Sequence, residues 1–131
     1  MPLITGVDRD HREVRVVALG PVSLEDVREH LLHKKREGGL GFPELADVRG
    51  AGIVSAPEEL KQIAEFLREL SREGPLGRIA LVVSSEAELT AMREFEELVR
   101  DFCDIKAFRS EEDARAWLGT GGRSRSSSEN R

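Results

Sequence analysis

The residues able to carry chemistry are few and scattered. Gly50-Ala51-Gly52-Ile53-Val54-Ser55 follows an expected strand and opens an expected helix. A dinucleotide fingerprint sets its glycines at such a turn, and free amides at a helix N-terminus can hold an anion there. Here the third glycine is replaced by Ser55, the strand is not the first of the chain, and no acidic residue closes the next strand at the usual distance. The stretch therefore fits a flexible loop feeding a capped helix better than a nucleotide or phosphate site. His30 and His33 have a spacing that can bring two imidazoles to one metal. No third ligand accompanies them, and with Lys34, Lys35 and Arg36 they read as a solvated basic helix end that complements the dipole. Cys103 stands beside Asp104 with no basic neighbour to lower its pKa, which describes a quiet, partly buried thiol. Ser84-Ser85 lack the glycine frame of a nucleophile elbow. The pairs Glu58-Glu59, Glu96-Glu97 and Glu111-Glu112 fall in helices, where carboxylates face solvent or complement the N-terminal dipole. No catalytic residue, metal or cofactor is expected.

The elements that hold these residues follow from periodicity. Leu3 to Val7 and Glu13 to Leu19 are short apolar runs around the polar tract Asp8 to Arg12, the pattern of a β-hairpin. Ser23 with Asp26 reads as a capping box opening a helix over about Leu24 to Glu37. Its packed stripe is Leu24, Val27 and Leu31, and Lys34 and Lys35 are assigned to the solvated faces. Gly38-Gly39 ends it. A strand over Leu45 to Val48 precedes Ser55-Ala56-Pro57-Glu58, which combines a cap, a first-turn proline and a glutamate three residues after the serine. Ser55 is expected to accept a bond from a backbone amide of the second helix, in which Leu60, Ile63, Ala64, Leu67 and Leu70 form one stripe. Ile79 to Val83 is nearly continuous in apolar character, as in a central strand covered on both faces. Ser85-Glu86-Ala87-Glu88 opens a third helix, Ile105 to Phe108 forms a last strand, and a final helix bears Ala114, Trp117 and Leu118. The order β-β-α-β-α-β-α-β-α predicts an α/β fold with a mixed, mainly parallel five-stranded sheet and four helices. The domain is expected to span 1–118, with 119–131 a disordered Gly/Ser/Arg tail.

Composition narrows the function classes. The chain has 131 residues, which suits one domain. A formal charge of −5 argues against polyanions, and five Phe and one Trp leave little material for stacking on bases, so nucleic acid is not expected as a partner. No stretch approaches the roughly 20 apolar residues of a membrane span. A single cysteine suits a reducing compartment, and a soluble, cytoplasmic protein is expected.

Four segments carry a family resemblance: Leu45-Ala46-Asp47-Val48-Arg49-Gly50, Ile79-Ala80-Leu81-Val82-Val83, Ala91-Met92-Arg93-Glu94-Phe95-Glu96, and Phe108 to Leu118. Together with the element order they resemble the bacterial STAS-like proteins of the anti-sigma-factor-antagonist fold, in particular a small branch also related to the lipid-binding CRAL-TRIO domain. The resemblance implies a non-enzymatic module that binds a protein partner, often under control of a serine phosphorylated where the third strand leads into the second helix. Here Ile53-Val54-Ser55-Ala56-Pro57 replaces the Asp-Ser-[Ser/Gly]-Gly turn that carries that serine. Two functions stay open: a regulatory, protein-interaction module, and a binding domain for a lipid-like or nucleotide ligand, which needs an enclosed cavity or open amides. In either, the expected surface is the rim where strands end. Arg49, Gly50, Gly52, Ser55, Glu59, Ser84 and Ser85 are the candidate binding residues there.

Overall fold

The computed structural model describes residues 2–51 and 56–127. Among them are strands β1 (Leu3–Asp8), β2 (Glu13–Ala18), β3 (Glu44–Asp47), β4 (Ile79–Val82) and β5 (Ile105–Phe108). The helices are α1 (Leu24–Arg36), α2 (Pro57–Ser71), α3 (Glu86–Val99) and α4 (Glu111–Ser127). The five strands form one sheet in the order β1-β2-β3-β4-β5, antiparallel between β1 and β2 and parallel elsewhere. This is the expected fold class, with each parallel pair joined by a helix.

Strand alternation divides the core in two. Val14, Val16, Ala46, Ile79, Leu81 and Ile105 face α1, α2 and α3, where Leu31, Leu60, Leu67, Phe95 and Val99 meet them. On the opposite face α4 covers β3 and β4, with Leu45, Ala80, Val82 and Ala114 at the centre of a smaller cluster. Trp117 closes this second cluster rather than the main core. It is half-buried, its ring lies 5.7 Å from that of Phe108, and the Arg78 guanidinium stacks 4.3 Å above it. α4 is continuous from Glu111 to Ser127.

The helix ends follow their capping residues. Ser23 accepts from the Asp26 amide while the Asp26 side chain accepts from the Ser23 amide, a complete capping box. Ser85 accepts from the Glu88 amide, and Ser110 accepts from the Asp113 amide. Gly38, at φ 76°, takes the left-handed conformation just after α1. At α2 the N-cap is Ala56, which has no side-chain bond to give, and Pro57 takes the first helical turn. The expected cap, Ser55, lies outside the described residues.

Candidate functional site

Between the sheet and helices α1, α2 and α3 lies a cavity of about 150 Å³. Its walls are apolar, with Val16, Ala46 and Leu81 from the strands and Val27, Leu60 and Met92 from the helices. Two of its lining residues, Ser23 and Glu59, are exposed; with Val22, Val48 and Ala51 they mark the mouth, on the rim where the parallel strands end. At the opposite, inner end the lining includes Ile79, Ile105, His30 and Glu44.

Glu44 opens the central strand. Its pairing places it in line with Val14 of β2 and Ile79 of β4, and beyond them Ile105 of β5, so a carboxylate occupies an apolar row. It is 3% exposed, and it is held by Lys34 Nζ, which donates to Oε1 at 2.5 Å, and by His30 Nε2 at 3.0 Å from Oε2. A carboxylate only accepts, so Nε2 carries the hydrogen. Nδ1 bonds the Thr5 hydroxyl, 2.8 Å away, accepting in the neutral ring and donating in the charged one. The chain of bonds runs Thr5 to His30 to Glu44, with Lys34 donating from the far side. Burial alone pushes the Glu44 carboxyl up, but the charge of Lys34, then that of His30, and their hydrogen bonds outweigh it and hold the group at about 2.

This network corrects the expectation that His30 and Lys34 belong to a solvated basic helix end. Lys34 is 2% exposed and His30 8%. The helical phase explains it: Val27, His30, Leu31 and Lys34 stand at i, i+3, i+4 and i+7, so the inward stripe continues through both polar residues. Glu44 was missed for a similar reason. It stands two residues before Ala46 and so shares its face, a signal that a residue type so seldom buried obscures. Lys35 and Arg36 are exposed as expected, and Lys35 pairs with Glu73.

The remaining candidates are distributed along the rim. Parallel pairing of β3 with β4 places Arg49, Gly50, Glu59, Ser84 and Ser85 on one edge of the sheet. Arg49 grips Asp47 with two side-chain bonds of 2.9 and 2.7 Å and lies 3.6 Å from Glu111. The first of these ties to Arg49 holds the Asp47 carboxyl below its ordinary range. Gly50 has a reason inside the chain: a β-carbon there would collide with the Ala18 carbonyl oxygen at the end of β2. The Ser84 amide and hydroxyl both donate to Glu88, at 2.9 Å, and Ser85 caps α3. Gly52 and Ser55 lie outside the described residues. Cys103 is 6% exposed, more deeply buried than expected, and that burial pushes its thiol up to about 12 despite the opposing charge of Lys34. Among the described residues no helix is long and apolar enough to cross a membrane.

The arrangement of strands and helices is shared with known proteins. No curated protein matches the chain. Among solved structures it is similar to an uncharacterized protein of the DUF3478 family with a SpoIIAA-like fold from Shewanella loihica, at 20% identity and a TM-score of 0.61, over 88% of this chain and 93% of that one. The SpoIIAA-like family model matches residues 13–119, from the first residue of β2 into α4, and with that match across most of its length the chain belongs to the SpoIIAA-like family.

Proposed function

We propose that this SpoIIAA-like domain is a non-enzymatic cytoplasmic module that binds a small apolar molecule in its core and meets a protein partner at the rim over the cavity mouth. The single observation that carries the reading is the cavity of about 150 Å³ with apolar walls. Interiors are close-packed, and a domain of this size rarely leaves so large a gap without a use for it. Volumes of about 150 Å³ lined by aliphatic side chains stay dry and accept benzene-sized guests. Arg49, Glu59 and Ser84 are exposed at the same rim. A partner seated there would be sensitive to what fills the mouth beneath it.

Ala46 gives the test, because it is 3% exposed and lines the cavity. Saturating a site that exists only in the folded state raises stability by about 2.7 kcal/mol at a hundredfold excess over Kd. Benzene should therefore raise the melting temperature of the wild type by several degrees and leave Ala46→Leu, whose added carbons fill the space, unmoved. If benzene shifted both proteins equally or neither, the cavity would be a packing gap. Loss of co-purifying protein in Glu59→Lys, with the melting temperature kept, checks the rim.

A further inference from the structure

Resting on that cavity, we infer that its inner end selects an uncharged apolar molecule bearing one O–H or N–H donor, and rejects anions. Two members of the buried network, His30 and Glu44, line the cavity. Neither has a donor to spare: His30 Nε2–H is committed to Glu44, and Nδ1 is taken up by the Thr5 hydroxyl whichever of the two donates. Each Glu44 oxygen takes one bond inside the network, from Lys34 or from His30, and a carboxylate has about four acceptor sites in all. The inner end therefore offers a guest acceptor capacity.

The mouth repeats the sign. Its charged lining residue is Glu59, and Ser23, whose oxygen already accepts from Asp26, is its neutral polar neighbour. A carboxylate guest would meet Glu44 at one end and Glu59 at the other, with Lys34 already neutralised by Glu44. At the buried inner end the like-charge contact with Glu44 is poorly screened, while exposed Glu59 adds a weaker repulsion at the mouth. A donor-bearing neutral guest meets no such opposition, and its bond to an ionised acceptor belongs to the stronger class of hydrogen bonds.

The network is not needed merely to fasten α1 to β3. A buried ion pair is seldom more stabilising than well-packed apolar residues of the same volume, so packing alone gives little reason for a lysine, a glutamate and a histidine in this row. The position of His30 and Glu44 at the inner end of an apolar cavity, with Lys34 behind them, supplies one. In a wholly apolar cavity phenol would bind more weakly than benzene, because its hydroxyl would lose water and gain nothing.

Isothermal titration of the full chain at pH 7.5 with phenol, benzene and benzoate decides the matter. Phenol should bind at least about tenfold more tightly than benzene, the factor expected when a bond to a charged acceptor outweighs desolvation. Benzoate should not bind measurably. In Lys34→Met/Glu44→Leu the ionised acceptor is gone and the freed His30 N–H offers the phenol oxygen only a weaker bond, so the preference for phenol should shrink several-fold. Benzene binding as tightly as phenol to the wild type would overturn donor selection while leaving the cavity reading intact. Tighter binding of benzoate would overturn the sign, and a phenol preference undiminished by the double substitution would place the selection elsewhere. If none of the three bound, this inference and the cavity reading would fall together. The comparison on the wild type stands even if the double variant does not fold.

Discussion

Lys34→Met isolates the most unusual feature of this core. Methionine keeps the length and the apolar stem of lysine and removes the ammonium that lies 2.5 Å from Glu44. Glu44 is then left buried with His30 as its remaining partner. Removing one member of a buried pair typically costs about 3–5 kcal/mol, because the other charge stays out of water. For a domain of this length that is roughly 9–20 °C in melting temperature, at about 3–4 °C per kcal/mol. The pH dependence tells this cause from lost packing. In the wild type the folded carboxyl is held at about 2, below its ordinary 4.5, so it contributes stability that is present above 4.5 and lost as pH falls toward 2. The span amounts to about 3 kcal/mol at 1.36 kcal/mol per unit. In Lys34→Met the largest opposing charge is gone, so the folded carboxyl rises from about 2, with His30 alone opposing burial. Its contribution above pH 4.5 is then smaller than in the wild type, and the shortfall grows as pH rises. The stability difference between the two proteins, measured by urea unfolding from pH 4 to 7.5, should therefore widen with pH. A difference below about 1 kcal/mol at pH 7.5, within the ordinary range for surface changes, would refute the buried pair. A difference flat across the series would refute the electrostatic account of its cost.

Other substitutions test other parts of the fold. Gly50→Ala forces a methyl group against the Ala18 carbonyl and should destabilise by about 1–3 kcal/mol in urea unfolding, whereas a neutral result would show that the turn after β3 can move away from β2. Cys103, with its thiol pushed up to about 12, should react with a disulfide reagent at pH 8 only as fast as the domain opens, so denaturant should accelerate labelling in step with unfolding. Trp117→Ala should cost about 2 kcal/mol, less than the roughly 3–5 kcal/mol of a fully buried ring, because this one is half-buried under Arg78. A loss beyond that range, read by thermal melting, would mean that α4 anchors both faces of the sheet.

The order of elements was legible in the chain because it is written in local rules. Alternation marks β1 and β2, the stripe from Leu60 to Leu70 marks α2, and serine caps mark α1 and α3. Each rule acts within a few residues, so no knowledge of the partner is required. The shared location of the loops after β3 and β4 was legible for the same kind of reason, since parallel neighbours end at the same side of the sheet. What their residues do there was not, since Gly50 is explained by Ala18 and the serines by Glu88, all brought close by the fold.

The cavity and its polar end were decided by tertiary structure alone. Lys34 and Glu44 are ten positions apart, and Thr5 is 25 from His30. Residue type argued for solvent at Lys34, while helical phase argued for the core, and the first is the stronger prior when each residue is read by itself. Only once α1 lies over the start of β3 does each charge acquire the partner that makes its burial affordable. An empty volume is further still from the sequence, because it is set by how closely three helices approach one sheet, a property of all their side chains together and of no single one.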